Sequence, residues 1–130
     1  MKPKHIIYWV VTLIFCSFLG WSAYGYLARE PKMVAAMASL GYPDYFLQIL
    51  GVAKLLGVLA LLSPGLPRLK EWAYAGFTFD LIGAMWSHLA SGQGKAALAP
   101  AVFLVLLVIS YRLRPVSRRL VMVDLMAVGA

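Results

Sequence analysis

The sequence predicts an all-α membrane protein in which four transmembrane helices pack as an antiparallel bundle. The hydrophobic fraction is 62% and only 13% of the residues are charged, whereas soluble domains run at about 45–50% and about 25%. The apolar residues fall into four runs that approach the ~20 residues needed to cross a bilayer. Short polar connections separate these runs, and such connections place consecutive helices side by side.

The first predicted span covers residues 6–27 and follows the polar start of the chain. The run is longer than the ~7–15 apolar residues of a signal-peptide core, so we expect an uncleaved helix. Apolar residues then recur at helical spacing between Met33 and Leu40. This pattern predicts a short helix that lies at the outer membrane interface between the first two spans.

The second and third spans form a predicted hairpin. The second covers residues 43–62 and opens with Pro43, a residue that suits the first turn of a helix. Proline and glycine in residues 63–67 end it. The third span then covers residues 72–90.

The fourth predicted span, residues 96–111, follows a short polar connector and ends at a basic stretch. Together the spans predict one domain over residues 1–120. The remaining segment, residues 121–130, is apolar but too short to cross a bilayer. We expect this tail to lie on the membrane surface or to be disordered.

The distribution of lysine and arginine predicts the orientation. One side of the predicted bundle carries eight of these residues and the other side carries three. The eight are Lys2, Lys4, Arg68, Lys70, Arg112, Arg114, Arg118 and Arg119. The positive-inside rule therefore places both termini in the cytoplasm. Because the basic residues flank apolar runs without interleaved aromatic residues, the sequence argues against nucleic acid as a partner.

Two opposite charges lie at matching depth in the second and third spans. Lys54 lies eight residues before Leu62, and Asp80 lies nine residues after Glu71. At about 1.5 Å per residue, both lie about 12–14 Å from the inner loop. Since an unpaired charge there costs roughly 2.5–3.5 kcal/mol, we expect a buried Lys54–Asp80 ion pair. Such a pair can also serve only to fix helix register, without any ligand.

Glycines at helical spacing predict close helix packing around this pair. Small residues let helix backbones approach closely in lipid. The glycines expected at helix contacts are Gly51, Gly57, Gly76 and Gly83.

A ligand site is expected between the charge pair and the outer end of the bundle. Aromatic rings there can hold a flat ligand such as a quinone, and histidine titrates near neutral pH. The residues expected to line this site are Glu71, Ser87, His88, Tyr24, Trp21 and Trp86. An aromatic belt at the membrane surface explains most of the aromatic residues without a ligand.

The sequence argues against several kinds of catalytic site. Cys16 is the only cysteine, so the chain has neither a disulfide nor a CxxC pair. His5 and His88 lie at opposite ends of the bundle, and no HxxxH motif or carboxylate cluster predicts a metal or haem. We therefore assign no catalytic residue and do not expect a stand-alone enzyme.

A combined pattern extends over most of the chain. It consists of residues 40–46, 50–57 and 69–84, with Ser87-His88-Leu89 and the later Pro100. Together these stretches resemble the DoxX-like family of small bacterial integral membrane proteins, over about residues 5–115. The resemblance implies a four-helix bundle in the bacterial inner membrane.

The wider superfamily includes a membrane subunit of thiosulfate:quinone oxidoreductase and proteins that cooperate with redox or oxidative-stress enzymes. The resemblance points to Lys54, Glu71, Asp80 and His88 as site positions. It implies a membrane component of a redox or oxidative-stress system that binds a partner protein or a hydrophobic small molecule. The alternatives are a quinone-linked oxidoreductase subunit and a small oligomeric transporter or proton pathway. The expected partners are the lipid bilayer, a redox enzyme and further copies of the chain.

Overall fold

The computed structural model describes residues 2–119, and in this part of the chain all regular structure is helical. The α-helices are α1 (Pro3–Leu27), α2 (Pro31–Ser39), α3 (Phe46–Leu62), α4 (Pro67–Ala90) and α5 (Leu98–Arg112). Short 3₁₀ turns cover Gly94–Ala97 and Val116–Arg118. The all-α prediction is confirmed, and the predicted surface tail at residues 121–130 lies outside the described residues.

Proline and glycine set several of the helix ends. Proline occupies the first turn of α1, α2 and α4, where its missing N–H leaves no helical hydrogen bond unmade. The reversal between α3 and α4 uses left-handed backbone at Gly65 and Leu66, with φ of 71° and 54°. As Pro67 starts α4 five residues earlier than predicted, Lys70 and Glu71 lie on the helix and not in a loop.

The four long helices pack around one apolar core. α1 contacts α3 and α5, α4 contacts the same two helices, and α2 lies against α1. The buried core comprises Phe15, Cys16, Leu19, Val58, Leu61, Tyr74, Phe77, Leu81 and Leu107. At its centre the rings of Phe15 and Phe77 meet edge to face with centroids 5.2 Å apart. This is a favoured aromatic geometry and joins α1 to α4.

The outward surfaces of the helices are apolar. On α1, the exposed side chains include Ile6, Val10, Leu13 and Phe18. Two helical stretches are long and apolar enough to cross a membrane, Pro3–Leu27 and Gly94–Arg112, each with a mean hydropathy of 1.9. α3 is apolar but has only 17 residues. By length and hydropathy alone, two of the four predicted spans are thus supported in residues 2–119.

Candidate ligand-binding site

A cavity of about 780 Å³ lies between α1, α3, α4 and the start of α5. Its walls are mostly apolar, with Phe18, Leu50, Phe77 and Phe103 among them. The polar side chains on its lining are Ser22, Tyr26, Tyr42, Lys54, Asp80, Ser87 and His88. A largely apolar cavity of this size with a few polar groups is typical of a small-molecule site.

The Lys54 ammonium is directed toward α1. Its Nζ donates a hydrogen bond to Ser22 Oγ at 3.1 Å and lies 4.4 Å from the centre of the Tyr26 ring. The hydroxyl and the π face both stabilise the positive charge. An ammonium has three protons, so Lys54 keeps donor capacity for a molecule in the cavity.

Asp80, on α4, is half-buried and lines the same cavity. Within residues 2–119, its carboxylate has no hydrogen-bond or ion-pair partner, and the ion pairs are Arg29–Asp44 and Arg114–Glu71. The expected direct Lys54–Asp80 ion pair is therefore not formed, because the flexible lysine side chain contacts Ser22 and Tyr26 instead. The two charges nevertheless line one cavity.

A hydrogen-bonded chain fixes His88 at one end of the cavity. Gln93 donates through Nε2 to Ser39 Oγ at 3.2 Å, and its Oε1 lies 3.1 Å from His88 Nδ1. Because an amide oxygen only accepts, Nδ1 carries the proton in this contact, and the neutral form of His88 then has Nε2 as an acceptor. Beside it, Ser87 is hydrogen-bonded to the Tyr42 hydroxyl.

The structure brings only part of the expected lining together. Trp21, Ser87 and His88 line the cavity, whereas Tyr24 and Trp86 do not and are 66% and 73% exposed. Tyr24 follows the lining residue Ser22 by two positions and Trp86 follows Ala84 by two, which is about 200° around the helix, so both side chains face away.

Glu71 also lies outside the cavity. It is nine residues from Asp80 on α4, which is two and a half helical turns, so the two side chains leave the helix on opposite faces. Glu71 instead forms an ion pair with Arg114. Glu71 was expected to line the ligand site, and this expectation is wrong.

The four glycines divide into two kinds. A Cβ atom at Gly51 would lie 2.8 Å from Leu27, and one at Gly57 would lie 2.6 Å from the Phe77 ring, so both are at close helix contacts. Gly76 and Gly83 have no atom within 4 Å of such a Cβ and line the cavity. The packing role expected for these two is wrong, and their missing side chains leave room in the cavity.

Comparison with known protein families decides which family the chain belongs to. The model of the DoxX-like family matches residues 10–110, which include most of α1 and α5 and all of α2, α3 and α4. The chain belongs to the DoxX-like family. Neither the curated proteins nor the solved structures gave a significant match.

A second polar cluster of this DoxX-like protein lies at the other end of the helices and was not predicted. Glu71 pairs with Arg114 and accepts a hydrogen bond from the Tyr111 hydroxyl at 3.0 Å. The Arg114 guanidinium lies 3.7 Å from the centre of the Tyr111 ring. The sequence interpretation placed Arg114 in the basic stretch after the fourth span, and its side chain is only 9% exposed.

Hydroxyl groups extend this cluster into the core. Ser110 is hydrogen-bonded to Thr12 at 2.6 Å and to the Tyr74 hydroxyl at 2.8 Å, and all three side chains are buried. These bonds join α1, α4 and α5. Hydroxyl-bearing residues within apolar runs were the available sequence signal for this contact.

The side chains of Lys70 and Arg118 donate hydrogen bonds to carbonyl oxygens at the C-terminal end of α3. Arg118 donates to the carbonyl oxygens of Ser63 and Leu62 at 3.0 and 3.2 Å, and Lys70 donates to Gly65 O at 2.5 Å and to Ser63 O. Cations there complement the carbonyls left free at a helix C-terminus.

Proposed function

We propose that this DoxX-like protein binds a hydrophobic small molecule in the cavity between α1, α3 and α4. The observation that carries the proposal is the cavity itself, about 780 Å³ with apolar walls and with Lys54, Asp80 and His88 on its lining. The apolar body of a ligand would contact the walls. The three polar residues would orient a polar head group.

The proposal includes a membrane location for residues 1–120. In it, α1, α3, α4 and α5 cross the bacterial inner membrane, α2 lies at the outer surface, and both termini are cytoplasmic. The exposed apolar side chains and the two long apolar helices support it. α3, with 17 residues, is about 26 Å long at 1.5 Å per residue, close to the ~30 Å hydrocarbon core.

The available polar groups indicate the chemistry of the ligand. Lys54 retains N–H donors, while the Asp80 carboxylate and His88 Nε2 are acceptors. A ring that bears hydroxyl or carbonyl groups would use both kinds. In the complex, a ligand hydroxyl near Asp80 would supply the partner that this carboxylate lacks within residues 2–119.

A quinone is the second candidate, in which the chain is the membrane component of a quinone-linked redox system. The observation that favours it is that a donor, Lys54, and an acceptor, Asp80, line one cavity. A quinone carbonyl would accept from Lys54, and a quinol hydroxyl would donate to Asp80. The redox step itself would require a partner enzyme, because we assign no catalytic residue to this chain.

Filling the cavity tests the proposal. Gly76→Leu and Gly83→Leu each add a side chain where no atom lies within 4 Å of the new Cβ, so the helix contacts are retained. Ala75→Leu is the matched control, because Ala75 is exposed on the same helix and does not line the cavity. Each purified protein is extracted with organic solvent, and the extract is analysed by mass spectrometry.

We expect wild type and Ala75→Leu to retain the same lipophilic molecule in an amount close to that of the protein. The Gly76→Leu and Gly83→Leu variants should lose most of it while keeping the bulk phospholipid. Equal extracts from all four proteins would contradict the cavity as the binding site.

Titration with decylubiquinone separates the two candidates. Trp21 and Trp72 line the cavity, so a bound quinone should quench their fluorescence to a saturating level. Asp80→Asn should weaken this quenching if the quinone head group contacts the carboxylate. Quenching that rises without saturation would contradict the quinone candidate.

A further inference from the structure

A recess of about 300 Å³ lies where the start of α1 meets the segment after α5. We call it the basic recess, and its lining residues are Lys2, Lys4, His5, Arg114, Pro115, Val116, Ser117 and Arg119. It is separate from the large cavity, since the two share no lining residue. The fold thus gathers basic residues from both ends of the described chain.

The basic recess carries unbalanced positive charge. Four of its lining residues are lysine or arginine, and none is aspartate or glutamate. Glu71 neutralises Arg114. Lys2, Lys4 and Arg119 have no carboxylate within ion-pair distance among residues 2–119. Three cations brought together in this way favour an anionic ligand.

Part of the recess is held in place by contacts within the protein. Arg114 is fixed by Glu71 and by the Tyr111 carbonyl oxygen, to which its Nε donates at 2.8 Å. Arg119 donates through Nε to the Arg114 carbonyl oxygen, also at 2.8 Å. Its two terminal amino groups remain for a ligand, and a guanidinium suits phosphate oxygens.

The surface beside the recess is apolar. Ile6 and Ile7 follow the recess residues directly along α1 and are about half exposed, and Val116 on its lining is 71% exposed. A positive recess that continues into an apolar surface matches a phosphate head group followed by acyl chains. Free phosphate would make no use of the apolar part.

We propose that the basic recess binds the phosphate head group of an anionic phospholipid in the leaflet that faces this end of the helices. The proposal rests on the proposed membrane insertion of α1 and α5 and does not depend on a ligand in the large cavity. Basic recesses at membrane-facing helix ends are known to bind such head groups. The lipid would hold the start of α1 against the segment after α5.

Paired charge removals test this proposal. Lys2→Gln/Lys4→Gln removes two cations from the recess. Arg68→Gln/Arg112→Gln removes the same charge from exposed helix positions that do not line the recess. Binding of phosphatidylglycerol and of phosphatidylcholine with the same acyl chains is measured on the detergent-purified proteins by native mass spectrometry.

Wild type and Arg68→Gln/Arg112→Gln should bind phosphatidylglycerol alike and prefer it over phosphatidylcholine. Lys2→Gln/Lys4→Gln should lose about fivefold in affinity per cation removed, and Lys2→Arg/Lys4→Arg should keep the binding. Equal weakening in both glutamine pairs, no preference over phosphatidylcholine, or displacement by millimolar inorganic phosphate would each overturn the proposal. Recovery of the wild-type chain in the soluble fraction would overturn both the membrane location and the lipid site. A membrane-bound wild type that fails the lipid test would overturn the lipid site alone.

Discussion

The ammonium group of Lys54 contacts two side chains of α1, the hydroxyl of Ser22 and the ring of Tyr26. The ring contact makes a specific prediction. Tyr26→Leu should lower the free energy of unfolding by about 1 kcal/mol, because a partly buried cation–π contact is lost. Tyr26→Phe keeps the ring and should change stability little. Thermal unfolding in detergent measures both, and equal losses in the two variants would show that the π face does not stabilise Lys54.

Breaking the Glu71–Arg114 ion pair should destabilise the protein more than breaking the exposed Arg29–Asp44 pair. Glu71→Gln leaves the Arg114 guanidinium buried without its counter-charge. We expect a loss of about 2 kcal/mol, below the ~3–5 kcal/mol of fully buried pairs because Glu71 is a quarter exposed.

Asp44→Asn is the control for this substitution. It breaks the exposed Arg29–Asp44 pair and should cost under ~1 kcal/mol. Unfolding midpoints compare the two variants under one condition. A larger loss for Asp44→Asn than for Glu71→Gln would contradict the structural role of the inner cluster.

At the residue scale, the position of a side chain along its helix was predictable and its direction was not. The helical rise alone placed Lys54 and Asp80 at one level, and the structure finds both on one cavity. A lysine has several rotatable bonds, so the residue that it contacts depends on neighbouring helices that sequence spacing does not specify. The face of Glu71, by contrast, could have been derived from its nine-residue distance to Asp80, although the sequence interpretation placed both residues at one site.

Among the elements, α3 and α4 are joined by the contact of Gly57 with the Phe77 ring. Gly57→Ala should destabilise the protein by about 1–3 kcal/mol, because the new methyl group would overlap with Phe77. Gly76→Ala places its methyl group in open space and should be neutral or stabilise by up to ~1 kcal/mol through helix propensity. Thermal unfolding of the two variants tests this. Equal destabilisation would contradict the different surroundings of the two glycines.

Helix positions followed from the sequence more closely than helix ends did. The apolar runs located α1, α3, α4 and α5, and the spacing from Met33 to Leu40 located α2. The early start of α4 was missed because Pro67 was interpreted as a break, although proline also favours the first turn of a helix. The same choice placed Lys70 in the loop before the third span, whereas its ammonium donates to carbonyl oxygens just beyond the end of α3.

For the whole molecule, the proposed orientation makes a direct prediction. Green fluorescent protein fused to the C-terminus should fluoresce, and alkaline phosphatase fused there should be inactive, because the positive-inside rule places this end in the cytoplasm. Fusions at Gly92, in the connector between α4 and α5, should give the opposite pair of results. An active phosphatase at the C-terminus would contradict the orientation.

The cavity is the feature of the whole molecule that the sequence did not predict. Composition and periodicity specify helices, and short connections specify which helices are neighbours. A cavity depends on where two helices separate, and here Gly76 and Gly83 leave space where the sequence interpretation expected contact. The ligand site was expected from aromatic and polar residues near the outer end of the bundle, so Trp21, Ser87 and His88 were included and Ser22 was missed.

An experimental structure determined with native lipids retained tests the central claim most directly. We predict non-protein density inside the cavity, with its polar end within hydrogen-bond distance of Asp80, His88 or Lys54 and its body against Phe77 and Phe103. A cavity closed by the side chains around Gly76, or filled only by the acyl chains of surrounding phospholipid, would contradict the claim.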